Sequence, residues 1–268
     1  MKMSGNTILI TGGGSGIGRG LAEAFHALGN QVFIAGRRQE SLDEVTTANP
    51  GMKSYQLYVT SPVGIAALAK KVTDEVAGLN VVIHNSGIMR PEDYTADRVD
   101  PQTAEATIAT NLLGPIRLTA ALLPHLRTQA ASTIMTVSSG LAFTPLALTP
   151  SYCATKAAIH SWSISLRHQL RDTSVEVLEL APPYVQTELM GPHQANDPHA
   201  MPLDDFISEV MQLIEAGPTH GEILVQRVMN LRNSEASGNF WGEFERLNTL
   251  SHRFKLNLGS LTKLWSGR

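Results

Sequence analysis

The chain has 268 residues, 43% of them hydrophobic and 17% charged, enough to bury one large core or two modest ones. Twenty-one Lys and Arg against 24 Asp and Glu leave a formal charge of −3, which argues against nucleic acid or another polyanion as the main partner. The single cysteine, Cys153, excludes an intrachain disulfide framework and a Cys-rich metal centre.

The amino end passes from Met1-Lys2-Met3 straight into Thr7-Ile8-Leu9-Ile10, without the charged, apolar and cleavage regions of a secretory leader. No run of about 18 apolar residues follows. The expectation is a cytoplasmic protein with no membrane partner. Short β-branched runs then alternate with helical stretches. Strands are predicted at Thr7–Thr11, Val32–Ala35, Tyr55–Val59, Val81–His84, Thr133–Val137 and Val175–Leu180. Between them, helical spacing predicts Ile17–Leu28, Arg38–Ala48, Pro62 to about Val76, Pro101–Leu126 and Tyr152–Leu170. This rhythm implies right-handed βαβ crossovers and a doubly wound, mostly parallel α/β sheet. No linker divides it, so residues 1–220 form one domain. After Pro182 the rhythm breaks: residues 184–202 read as a mobile loop ahead of a helix at Leu203–Ala216. Residues 221–268 read as a carboxyl-terminal extension packed on the same domain, with Phe240, Phe244, Leu247 and Phe254 at helical spacing.

Six of the 22 glycines lie between Gly12 and Gly20. Thr11-Gly12-Gly13-Gly14-Ser15-Gly16-Ile17-Gly18 joins the first strand to the first helix, where glycines let the backbone approach a pyrophosphate and the helix terminus favours an anion. A Walker loop would need Lys and then Ser or Thr after Gly18, but Arg19 and Gly20 stand there. The G-x-G-x-x-G spacing fails in every register, leaving T-G-x-x-x-G-x-G. The second strand ends Ala35-Gly36-Arg37-Arg38, without the acid that usually binds the ribose hydroxyls of NAD. A guanidinium there can bind a 2′-phosphate, so NADP(H) is expected over NAD(H), with Arg37 as the main contact and Arg38 and Ser15 as helpers.

Tyr152 and Lys156 are four apart at the start of a helix and share one face. A tyrosine that works near pH 7 needs its phenolate favoured by about 3 units, roughly 4 kcal/mol, and a nearby ammonium supplies part of that. Ser139, thirteen residues earlier, ends the fifth strand at the carboxyl edge where open α/β sheets bind ligands. Ser138 must face the other way, because adjacent strand residues alternate.

Together, T-G-x-x-x-G-x-G at Thr11–Gly18, Asn85-Ser86-Gly87, Asn111, Ser139, Y-x-x-x-K at Tyr152–Lys156 and Thr187 after a proline-rich turn resemble a short-chain dehydrogenase/reductase of the compact, single-domain type. The tail containing Gly221-Glu222-Ile223-Leu224-Val225 is similar to a DltE-like branch of that family. The resemblance implies a Rossmann-type fold and hydride transfer between a nicotinamide and a small-molecule carbonyl or alcohol. Tyr152 would be the general acid or base, and Ser139 would bond the substrate oxygen. Lys156 would hold the nicotinamide ribose and lower the Tyr152 pKa, and Asn111 would anchor a relay water. Gly12, Ser15, Gly16, Ile17 and Gly18 would cradle the pyrophosphate; Val59, Asn85 and Gly87 would line the adenosine side; Val185 and Thr187 would meet the carboxamide. Three departures stand out. Tyr58-Val59-Thr60 replaces the usual Asp-Val-Thr, Asn85-Ser86-Gly87 replaces Asn-Ala-Gly, and the late strand ending in Asp-Gly-Gly is missing. A homo-oligomer is expected, as a dimer through the Pro101–Leu126 and Tyr152–Leu170 helices rather than a tetramer.

The substrate pocket is expected to be apolar, lined by Met89, Leu141, Phe143, Tyr184 and Met190 and closed by the 184–202 loop. Nine histidines show no H-E-x-x-H spacing, so no metal is expected. His193 and His199 read as solvated loop residues, and Cys153 as a small residue near a helix start. The alternative function is a catalytically silent dinucleotide-binding sensor or scaffold; a sugar-nucleotide epimerase would need a different glycine spacing and a longer carboxyl-terminal region.

Overall fold

A computed structural model describes the backbone of residues 1–258 and the side chains of residues 1–249. The described residues form one parallel sheet of seven strands in the order β3-β2-β1-β4-β5-β6-β7. The strands are β1 (Thr7–Thr11), β2 (Gln31–Gly36), β3 (Lys53–Gln56), β4 (Leu79–His84), β5 (Ser132–Val137), β6 (Val175–Leu180) and β7 (Glu222–Ile223). The order in which successive strands are added reverses between β1 and β4, and that switch point opens a crevice at the carboxyl ends of the strands.

Alternation within each strand divides the core into two layers. Ile8 and Ile10 of β1 pack with Leu21, Phe25, Phe206 and Val210 on one face, while Leu9 packs with Phe33, Leu118, Leu122 and Leu126 on the other. The first layer is covered by α1 (Gly16–Ala27), α2 (Gln39–Ala48) and α8 (Leu203–Ala216). The second is covered by α3 (Pro62–Glu75), α5 (Gly114–Leu126) and α6 (Pro150–Leu170). Each such leucine or isoleucine contributes about 1.5–3 kcal/mol by leaving water, so this two-sided burial drives the fold. Local signals set the ends: Pro62 opens α3, and Ser61 caps it by accepting from the Gly64 N–H at 3.0 Å.

Three sequence expectations need correction. The third strand is Lys53–Gln56 rather than Tyr55–Val59; it lies at the sheet edge, where exposure weakens the apolar pattern that marks inner strands. The helix expected over Pro101–Leu126 runs over Gln102–Leu126 as α4 (Gln102–Ile108), one π-helical turn (Ala109–Leu113) and α5. The late strand is present as β7, two residues long and paired with Glu179 and Leu180, too short to leave a periodic signature. The 184–202 segment contains α7 (Pro192–Ala195), and Val185 bridges to Met201. Its order comes from this isolated backbone bridge, single turns and side-chain hydrogen bonds, none of which leaves a periodic pattern. The Gln102–Leu126 helix also has the length and mean hydropathy, 1.3, of a membrane span, although it contains no run of about 18 apolar residues. Here its apolar side faces the sheet through Leu118, Leu122 and Leu126.

The tail returns to the domain. After α9 (Met229–Arg232), Ser234 bonds Thr144 at 2.8 Å. Asn248 of α10 (Phe240–Leu258) accepts from the Ala147 N–H at 2.6 Å and donates to the Pro145 carbonyl at 3.2 Å. Phe240 stacks on Phe244. The side chain of Phe254 and residues 259–268 lie outside the described residues.

Candidate active site

The glycine turn is built as its letters require. Gly12 has φ +71°, and a Cβ there would lie 2.8 Å from Asn85 Nδ2 and 3.0 Å from Ser86 Cα. A Cβ at Gly18 would overlap the Gly12 carbonyl. Buried Thr11 Oγ1 accepts from the N–H groups of Asn85 and Ser86, both at 3.1 Å, tying the ends of β1 and β4 together. Asn85 Nδ2 donates to the carbonyls of Thr11 (3.1 Å) and Gly12 (3.3 Å), so this amide shapes the turn as well as bordering the space beyond it.

That space is a cleft of about 470 Å³ along the carboxyl edge of the sheet. Gly12, Ser15, Gly16 and Ile17 border its middle; Arg37, Arg38 and Val59 border one end with Gly36, Ser41 and Leu42, and no carboxylate stands among these. Asn85, Gly87, Val185 and Thr187 line it further along, and Ser139, Tyr152 and Lys156 close the other end. Gly18 supports the turn from behind. A dinucleotide fits this site: Cβ atoms would crowd the turn, the helix terminus faces the bend, and two guanidinium groups sit at one end.

Tyr152 and Lys156 belong to the first turns of α6, and Ser139 lies two residues beyond the end of β5. Lys156 Nζ donates to the Val137 carbonyl at 2.7 Å and lies 5.4 Å from the centre of the Tyr152 ring. Burial pushes the Tyr152 hydroxyl above the usual phenol range, and its hydrogen bond with Ser139 pulls the other way. Burial is the largest influence on both groups and pulls Lys156 itself down to about 8. Ser138 also borders the cleft, but its hydroxyl donates to the Leu180 carbonyl at 3.4 Å. Of the two serines, only Ser139 engages Tyr152.

Asn111 lies in the π-helical turn and does not line the cleft. Its side chain accepts from the Ile88 N–H and donates to the Ile88 carbonyl, both at 2.9 Å, and reaches Thr155 Oγ1 at 3.3 Å. It therefore holds the 85–89 wall against α6. Of the five expected pocket residues only Met89 borders the cleft; Leu141, Phe143, Tyr184 and Met190 do not. Phe143 packs edge-on against His160, and Tyr184 donates to Asp197 at 3.1 Å. His193 and His199 do not line it either, and buried Cys153 interacts with Leu146 and Thr149.

Sequence reasoning missed Thr110, Arg90 and Gln194 on the cleft wall. Gln194 is buried, donates to the Val185 carbonyl (2.8 Å) and Thr187 Oγ1 (3.1 Å), and accepts from the Met190 N–H (3.0 Å). Spacing carries no signal for it. It also missed a grouping of His160, Glu179 and Glu222, whose donor atoms lie within 4.8 Å of one another. The signal was available: Glu179 stands in a strand whose other inward positions are apolar, and a buried carboxylate needs partners.

A parallel sheet with a glycine turn after β1 and a Ser-Tyr-Lys group at its carboxyl edge defines a dinucleotide-dependent α/β oxidoreductase. This chain belongs to the short chain dehydrogenase family, which it matches over residues 6–198. It is 40% identical to the uncharacterized oxidoreductase DltE of Bacillus subtilis, over 93% of this chain and 99% of that one. An uncharacterized oxidoreductase of Myxococcus xanthus is 32% identical, over 77% and 82% of the two chains. Among solved structures, a short chain dehydrogenase of Burkholderia cenocepacia in complex with NADP superposes with a TM-score of 0.78 at 24% identity, covering 92% of this chain and 99% of that one. A 3-ketoacyl-(acyl-carrier-protein) reductase of Brucella melitensis complexed with NADH gives 0.75 at 22%, covering 85% and 100%. At these identities the two structures speak to the fold.

Proposed function

We propose that this protein is an oxidoreductase that interconverts a small-molecule carbonyl and a secondary alcohol and prefers NADP(H) to NAD(H). The observation that carries the reading is the convergence of Ser139, Tyr152 and Lys156 at the end of a cleft whose far end holds Arg37 and Arg38. The nicotinamide, when bound, supplies or accepts the hydride. Tyr152, kept protonated by burial, gives its proton to the carbonyl oxygen during reduction and takes it back during oxidation. Ser139 bonds the same oxygen, and the Lys156 ammonium stabilises the phenolate left behind. The Asn111 amide is fully engaged with Ile88 and Thr155, so a relay water at this residue would bind its main chain. Arg37 binds the 2′-phosphate with charge-assisted bonds.

A Tyr152→Phe variant should lose about 10²- to 10⁴-fold in NADPH-driven carbonyl reduction while retaining NADPH binding; wild-type turnover would refute the mechanism. In the same assay Arg37→Asp should reverse or abolish the NADPH preference, and an unchanged ratio would remove Arg37 from the 2′-phosphate site. Cofactor binding without NADPH oxidation across a carbonyl panel would favour the silent sensor. We further propose a dimer through α4, α5 and α6, supported by exposed Ile108 and Ile164 on α4 and α6.

A further inference from the structure

Tyr152, Lys156 and His160 form an i, i+4, i+8 stripe on the face of α6 that lies against β5 and β6. Each of the two basic residues reaches one strand. Lys156 Nζ donates to the carbonyl of Val137 on β5, and Val137 pairs in register with Leu180. His160 Nδ1 lies 3.0 and 2.9 Å from the two carboxylate oxygens of Glu179, the residue before Leu180. Glu179 is 1% exposed. A buried carboxylate at that depth costs several kcal/mol unless positive charge and hydrogen-bond donors offset it.

We propose that Glu179, oriented by His160, is the buried counter-charge of Lys156 and a positioning residue for the proposed reaction. The inference rests on the proposed Ser139, Tyr152 and Lys156 chemistry.

Charge accounting supports it. Glu222 of β7, 3.8 Å from His160 Nδ1, is held by Arg232 of α9 through bonds of 3.1 and 2.8 Å. That pair is self-neutralising, so Glu222 does not draw on Lys156, and Glu179 is the carboxylate left to balance it. The other groups on the packed elements are engaged elsewhere: Arg167 bonds the carbonyls of Val177 and Gly221, and Glu105 of α4 is exposed. Burial pulls the Lys156 pKa down to about 8, and the field of Glu179 opposes that pull. Arg232 also lies over the Phe143 ring, whose edge meets His160, so the carboxyl-terminal segment braces the residues that aim Glu179. A metal reading of His160, Glu179 and Glu222 is disfavoured because Arg232 already neutralises Glu222.

The test measures the charge of Lys156 without requiring turnover. Urea unfolding of the cofactor-free full chain is followed from pH 6 to 10 for wild type, Lys156→Met, Glu179→Gln and the double variant. The stability difference between wild type and Lys156→Met should stay flat below the folded-state titration midpoint of Lys156, near 8, and rise with pH above it towards the unfolded lysine value of about 10.5. In the Glu179→Gln background that midpoint should fall by about one unit or more. His160→Asn should move it in the same direction, and serves in place of Glu179→Gln if the latter does not fold. Where turnover is measurable, the alkaline limb of kcat/KM should move with it. An unchanged midpoint would overturn the proposal, as would stoichiometric Zn²⁺ or Mn²⁺ binding by wild type that His160→Asn abolishes. Absence of carbonyl reduction with a shifted midpoint would refute the reaction while leaving the counter-charge intact.

Discussion

At the residue scale, buried polar groups are the sensitive points. His84 at the end of β4 is fully buried; its Nε2 lies 2.7 Å from Thr119 Oγ1, and Nδ1 has no partner. Burial lowers its pKa to about 4. The folded protein holds this ring neutral, whereas the unfolded chain takes up a proton below about 6.5. The stability it allows is present above pH 6.5 and is lost as the pH falls towards 4, by at most roughly 3 kcal/mol. Urea midpoints should therefore fall from pH 7 to pH 5 more steeply in wild type than in His84→Gln. Equal slopes would show that the ring is not the acid-sensitive group.

At the element scale, the segment after β6 shows how side chains can replace regular backbone pairing. Gln194 of α7 makes three hydrogen bonds within residues 185–190, a stretch whose Val185, Thr187, Glu188 and Leu189 wall the cleft, and Asp197 accepts from the Tyr184 hydroxyl and the His199 N–H. Removing a buried partner leaves the other groups unsatisfied at about 1–3 kcal/mol. Gln194→Ala should weaken NADPH binding several-fold in a fluorescence titration while the chain stays folded. Unchanged affinity would mean the wall holds its shape without it. The π-helical turn acts similarly: by widening one turn it seats Asn111 against Ile88 and Thr155, joining the cleft wall to α6.

At the scale of the whole molecule, the two apolar layers leave some hydrophobic surface outside. Ile108 is 42% and Ile164 47% exposed, and Trp241 on α10 is 72% exposed. Isolated exposed residues are ordinary, but the two isoleucines lie on the helices proposed to pair. Ile108→Lys with Ile164→Lys should convert a dimer to a monomer in sedimentation velocity without loss of fold. A wild-type monomer at micromolar concentration would refute the interface.

The β-strand alternation, the glycine turn and the Tyr152–Lys156 spacing could be read directly from the chain, because each is a local consequence of backbone geometry. β1 and β6 and the helix over Leu203–Ala216 fall where periodicity puts them, since apolar residues dominate their inward faces. Tertiary structure decided what depends on distant partners. Edge position shortened β3, pairing with β6 made a strand of two residues, and the bonds of Gln194 and Asp197 ordered a segment without pattern. It also decided the electrostatics. The spacing places Lys156 beside Tyr152, but burial raises one pKa and lowers the other. Glu179 became a partner of His160 only when β6 was laid under α6. Charge and solvation depend on what surrounds a group in three dimensions, and the order of residues does not contain that until the chain is packed.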